Sequence, residues 1–152
     1  MAIVRATLDV PYPTSATEAL WYDTGRWPAF VDGFGVLRSV EGNWPHVGSR
    51  VVWDTTSDGR GRVTQTVSSY TPRLSCVTQV RDEKRAGVQT VAFKPHTQGT
   101  TVQLTLDYSV SRRTPLSPLI DLLYVRRTQR ESLQRTLRRF ALELRDEVDP
   151  PV

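Results

Sequence analysis

Few residues in this sequence are able to make or break bonds, and their spacing narrows the options quickly. The two histidines, His46 and His96, stand in separate turn-like stretches. A zinc-type centre needs several His, Cys or carboxylate ligands brought together, and no closely spaced set is present, so no metal is expected. A single cysteine, Cys76, excludes an internal disulfide and any multi-thiolate site. It falls in a strand-like stretch, where a buried inert thiol is the commoner role. There is no Gly-x-Ser-x-Gly elbow to present a serine nucleophile. Asp58-Gly59-Arg60-Gly61 lacks the Lys-Ser/Thr pair of a phosphate loop. General acid–base chemistry stays open, since it asks only for one or two groups with shifted pKa in a dry site. His46, Tyr70 and Tyr108 are the candidates for moving protons, with Asp54, Arg126 and Arg130 beside them. Each also has a plain structural reading: a surface turn for His46, an exposed strand position for Asp54, core or rim packing for the tyrosines.

The arginines raise a question about the element that carries them. Ser117-Pro118 reads as an N-cap followed by proline at the first helical position. The helix it opens should run to about Glu147, some 30 residues or about 45 Å. At about 100° per residue one face collects Leu119, Leu122, Leu123, Leu133, Leu137, Phe140, Ala141 and Leu144, with Arg126 and Arg130 in its middle. Three readings stand side by side. The arginines snorkel to a rim, or pair with a sheet carboxylate such as Asp54 or Asp107, or supply the polar end of an internal cavity. A buried arginine with neither partner nor water would be too costly to keep. A coiled coil fits the heptad spacing but would put a whole heptad of arginine in its seam, and is set aside. Ile120, Tyr124 and Leu142, off the main stripe, leave room for a dimer contact.

So long a helix needs a surface of similar length, and the preceding residues supply one. Residues 2–10 alternate, with Val4, Ala6, Leu8 and Val10 on one face, and Pro11 and Pro13 end the run. Ser15 and Glu18 form a capping-box pattern for a short helix to about Asp23. Trp27-Pro28 starts a second short helical piece ending near Gly33. Strands follow near 35–41, 49–56, 61–70, 74–81, 88–94 and 100–110, separated by turn-forming residues such as Asp58-Gly59, Thr71-Pro72 and Gln98-Gly99. Short turns between strands imply antiparallel hairpins. The expected architecture is α+β: a seven-stranded antiparallel curved sheet around one long C-terminal helix, in the order β-α-α-β6-α.

Composition agrees with one globular domain spanning residues 1–148 and a frayed tail at 149–152. The chain has 152 residues, 38% hydrophobic and 24% charged, with a net charge of +4. Apart from Lys84 and Lys94 the basic residues are arginines, spread along most of the chain. A charge this mild and dispersed gives no ground for nucleic-acid binding. No apolar run is long enough for a membrane helix, and the N-terminus lacks the pattern of a signal peptide. The expectation is therefore a cytoplasmic protein without stable membrane insertion, as monomer or homodimer.

Several local motifs, in order, resemble one superfamily. They are Leu8-Asp9-Val10-Pro11, Trp27-Pro28-Ala29-Phe30, Val47-Gly48-Ser49, Tyr70-Thr71-Pro72, Phe93-Lys94-Pro95 with Gly99-Thr100-Thr101-Val102, and the long terminal helix. Together they span nearly the whole chain and look like the SRPBCC, or START-like, helix-grip group, which includes the birch pollen allergens and the polyketide cyclase/dehydrase-like proteins. The resemblance implies a hydrophobic tunnel between sheet and helix, without a cofactor. Such tunnels take lipids, quinones, isoprenoids or polyketides, and some relatives catalyse cyclisation and dehydration. Fold membership does not choose among these. On this reading the apolar body of a small hydrophobic ligand would lie against Trp27, Trp53, Phe93, Leu106, Tyr108, Leu119 and Leu123. Arg126 and Arg130 would meet its polar or anionic end. The alternative is a cyclase/dehydrase-type enzyme, with Tyr70, Tyr108 or His46 moving protons.

Overall fold

The computed structural model describes residues 2–56, 61–83, 85–110 and 118–149, with side chains at 109–110 and 118–124 outside that description. The elements are β1 (Ala2–Val10), α1 (Thr14–Tyr22), a 3-10 turn (Thr24–Arg26), α2 (Trp27–Phe30), β2 (Phe34–Glu41), β3 (Arg50–Thr55), β4 (Arg62–Thr71), β5 (Ser75–Arg81), β6 (Arg85–His96), β7 (Gly99–Val110) and α3 (Pro118–Val148). All seven strands join one antiparallel sheet, in the order β1-β7-β6-β5-β4-β3-β2. Helix α3 packs along β1 and α2, which makes this the helix-grip arrangement.

Strand alternation decides which residues face the helix. On β1 and β7, Val4, Ala6 and Val10 and Val102, Leu104, Leu106 and Tyr108 are buried, while their neighbours are not. The same face continues through Val91 and Phe93, Cys76, Val63 and Val67, and Val51 and Trp53. A bulge between Val67 and Ser69 shifts the phase of β4, so that Tyr70 lies opposite Cys76. Gly99 begins β7 at φ 149°, where any Cβ would collide with the Val10 carbonyl oxygen.

One local expectation changes. The capping box does not form: Pro13 is the N-cap of α1, and its carbonyl accepts from Thr17 N and Thr17 Oγ1. Glu18 instead reaches across the molecule to accept from the Arg73 amide at 2.7 Å. That bond steadies a tight turn in which Arg73 adopts φ 60°. The expected cap at Ser117 and the turn at Asp58-Gly59 lie outside the described residues.

Candidate functional site

Because α3 lies over the concave face, inward side chains from sheet and helix meet around a partly open cavity of about 70 Å³. Its aromatic wall is built by α1, α2 and the segment leading into β3. Trp27 Nε1 donates to the Trp21 carbonyl at 2.8 Å, and Trp44 Nε1 to the Tyr22 carbonyl at 2.9 Å. These bonds satisfy the indole donors and turn the apolar ring surfaces inward. Phe34 stacks on Trp53 with centroids 4.9 Å apart, and Trp27 meets Trp44 edge-on.

The opposite wall is polar where apolar residues would pack better. Sheet register places Val67, Thr78, Gln89, Leu106 and Val4 in one row across the concave face. The next row runs through Val51, Gln65, Val80, Gly87 and Tyr108. Gln65, Thr78 and Gln89 thus line the cavity, and α3 faces them with Gln129, Ser132 and Thr136. Gln65, Thr78, Gln129 and Thr136 are buried. Thr78 Oγ1 and Tyr22 Oη have no hydrogen-bond partner among the described residues. Burial, together with nearby Cys76, Glu18 and Tyr70, pushes Tyr22 ionisation far up, so the phenol stays neutral. Burial likewise pushes the Cys76 thiol to about 11, which leaves it a poor nucleophile at neutral pH.

One edge of the cavity is fastened by Asp32, between α2 and β2. Its carboxylate accepts from Ser132 Oγ at 2.7 Å, from Arg135 Nε and Nη2 at 3.0 Å each, and from Arg139 Nη1 at 3.2 Å. The Asp32 amide donates to Thr136 Oγ1 at 3.0 Å. Burial alone would raise the Asp32 pKa. The hydrogen bonds and the charges of Arg135 and Arg139 outweigh it and hold the carboxyl below its ordinary range. A second fastening joins Arg26 to Glu143 and Glu147, both at 2.6 Å. At the other end, Val80, Leu106 and Gln129 are shared with a narrow crevice that also holds Arg85 and Tyr108.

The residues singled out from sequence distribute unevenly around this geometry. Trp27, Trp53 and Leu106 line the cavity. Phe93 is completely buried and packs edge-on to Tyr22, without lining the space. Tyr108 lines the crevice, and the side chains of Leu119 and Leu123 lie outside the described residues. The interior placement of Arg126 and Arg130 is corrected: both are exposed and neither lines the cavity. Neither pairs with Asp54, which is held by Arg62 and Arg38 and thereby kept at a pKa of about 2. A long arginine stem lets the charge leave the face its Cα occupies. His46 and Tyr70 meet edge-on at 5.3 Å, but His46 is exposed. Tyr108 stands two inward rows from Tyr70 along the sheet, so the three proton-transfer candidates do not converge. Leu142 is exposed, while Ile120 and Tyr124 fall outside the described side chains. Among the described residues no group of three or more His, Cys, Asp or Glu could hold a metal ion, and no helix is long and apolar enough to cross a membrane.

The polar lining at Gln65, Thr78 and Gln89 was missed from sequence, although alternation carries the signal. Each shares its phase with buried or half-buried neighbours: Val63 and Val67, Cys76 and Val80, Val91 and Phe93.

The family profile for polyketide cyclase/dehydrase and lipid transport matches residues 1–145. The chain belongs to that polyketide cyclase/dehydrase and lipid-transport family. Among solved structures it resembles the di-domain aromatase/cyclase StfQ of the steffimycin biosynthetic pathway, at TM-score 0.76 and 16% identity, over 96% of this chain and 52% of that one. It also resembles TTHA0849 of Thermus thermophilus, at TM-score 0.73 and 19% identity, over 94% and 97% of the two chains. SA2116 of Staphylococcus aureus, a protein of unknown function, superposes at TM-score 0.76 with 9% identity over 97% and 95%. Identities this low establish the shared fold of the cyclase/lipid-transport family and nothing finer. No curated protein matches the chain.

Proposed function

We propose that this protein binds a small, mainly apolar molecule carrying hydrogen-bonding oxygens, held between the sheet and α3. The observation that carries the reading is the pair of buried hydroxyls, Tyr22 Oη and Thr78 Oγ1, left without partners around an aromatic-walled cavity. A buried hydroxyl without a partner costs about 1–3 kcal/mol, so a purely structural interior would favour Phe and Val there. A ligand with oxygens along an apolar body satisfies these groups while its rings pack on Trp27, Trp44 and Trp53. This composition suits a polyketide-like or quinone-like molecule better than a plain acyl chain. The cavity is well below the roughly 300–1,000 Å³ of ordinary ligand sites, so a ligand of ordinary size needs it to widen. Asp32 fastens one edge of it.

The second reading is a cyclase/dehydrase-type enzyme. It is favoured by the family, whose description includes cyclase and dehydrase activity. It is disfavoured by the separation of His46, Tyr70 and Tyr108. Native mass spectrometry on protein purified from its own source cells tests both. A near-stoichiometric apolar molecule with oxygen substituents supports binding, and an aromatic cyclised product supports the enzyme. Protein that arrives empty and takes up no oxygenated apolar compound would overturn the binding reading.

A further inference from the structure

The crevice at the far end of the cavity holds two unsatisfied donors of a different kind. Tyr108 is 3% exposed, and its hydroxyl has no hydrogen-bond partner. Arg85 is half-buried, and its Nη1 is fully shielded, also without a partner among the described residues. The strand register explains why they meet. Gly87, Gln89 and Val91 are inward positions of β6, so Arg85, two residues before Gly87, shares their phase. Gly87 lies opposite Tyr108, packed so closely that a Cβ there would collide with the Asp107 carbonyl oxygen. Gln129 of α3 borders the same crevice. Of the surrounding charges, Asp82 accepts from the Arg85 backbone amide at 2.9 Å through Oδ1. Arg126 lies close enough to act electrostatically on Tyr108. A guanidinium nitrogen and a phenol hydroxyl, both dry and both unused, are an arrangement that folding alone does not favour.

We propose that Arg85 and Tyr108 form the anionic pole of the ligand site, and that the natural ligand is an apolar acid whose carboxylate receives one hydrogen bond from each. This rests on the binding reading above and specifies its ligand class. A carboxylate offers two acceptor oxygens to two separate donors, and a guanidinium contact to it is charge-assisted. The pole assigned to Arg126 and Arg130 from the sequence moves to the opposite wall, on β6 and β7. Arg126 then acts only at longer range, from the rim.

The test uses 2-naphthoate and its neutral counterpart 2-naphthamide, titrated by calorimetry into the full chain at pH 7. The wild-type protein should bind naphthoate at least about tenfold more tightly, since hydrogen bonds to charged groups are worth about that much or more. Arg85→Met should bring the two affinities to within about twofold, because naphthoate loses far more than naphthamide when the charged donor is removed. Tyr108→Phe keeps the experiment decisive should Arg85→Met fold poorly. It removes an unpaired buried hydroxyl, so the protein should melt no lower than wild type and yet lose about fivefold or more in naphthoate affinity. Naphthoate preference retained in both variants would overturn the anionic pole and leave the binding reading standing. Wild-type protein that binds neither compound would overturn both.

Discussion

Replacing Asp32 with asparagine tests the fastening between the α2–β2 segment and α3. The side chain is 18% exposed, against 39% for Arg135 and 47% for Arg139. Fully exposed ion pairs contribute only about 0.2–1 kcal/mol, so the single contact to Arg139 adds little. The two bonds from Arg135 and the one from Ser132 to a largely buried carboxylate stand higher, near the range of about 1.5–3 kcal/mol for charged hydrogen bonds. Asparagine keeps one acceptor oxygen and turns an amide NH2 toward the guanidinium groups. The expected loss is about 2 kcal/mol at pH 7, or about 4–8 °C in Tm for a chain of this size. The pH dependence has a definite sign. The folded-state pKa of Asp32 is lowered, so its stabilisation is fully present above the unfolded carboxylate value of about 4. It is lost as pH falls through the folded value. The gap between wild type and Asp32→Asn in urea melts should therefore be full at pH 7 and should shrink steadily below about pH 4. A gap under about 0.5 kcal/mol at pH 7, within the ordinary scatter for surface substitutions, would refute the argument. So would a gap of constant size down to the acid limit.

Three further outcomes follow from the same geometry. Thr78→Val removes a buried hydroxyl without a partner and should raise stability by about 1 kcal/mol in chemical denaturation, while weakening uptake of oxygenated apolar probes. Cys76, buried and with its pKa raised to about 11, should react with a thiol-specific reagent at pH 8 only as fast as the protein opens; rapid native-state labelling would contradict its placement. Gly99→Ala sets a Cβ against the Val10 carbonyl oxygen and should cost more than about 1 kcal/mol, read as a lower Tm by circular dichroism.

The sheet and long helix were legible because alternation and helical periodicity are local signals. Residues 100–110 show this best: Val102, Leu104, Leu106 and Tyr108 announce their buried face without reference to any partner. The site was less legible for three physical reasons. The bulge in β4 breaks the phase between Val67 and Tyr70, and backbone spacing alone does not announce it. Asp32 and its partners on α3 are about a hundred residues apart, and only the folded packing brings a carboxylate to three donors. The helical wheel puts Arg126 among leucines by the direction of its Cα, but a flexible side chain ends elsewhere. Gln65, Thr78 and Gln89 differ from these cases. Their inward phase is readable from the alternation, but polar residues are mostly exposed, so their type does not announce a buried lining.

On the proposed binding reading, the small cavity and the Asp32 fastening bear on how a ligand would enter. A space of about 70 Å³ is smaller than an engineered cavity of about 150 Å³ that accepts benzene, so any aromatic ligand meets a structure that must first widen. If the wall that gives is the one at Asp32, widening would separate α3 from the α2–β2 segment and loosen the Asp32 bonds before the ligand gains its contacts. The observed affinity is then the intrinsic affinity reduced by the fraction of molecules already open. Weakening the fastening by about 2 kcal/mol would raise a small open population by up to about thirtyfold, provided Asp32 is free in the open state. In stopped-flow mixing with 2-naphthoate, Asp32→Asn should therefore associate faster than wild type, by severalfold or more, even though it melts at a lower temperature. Should entry instead use the crevice at Arg85 and Tyr108, the association rate would not change, and the substitution would lower stability alone. The two measurements on one variant thus separate a structural tie from a gate.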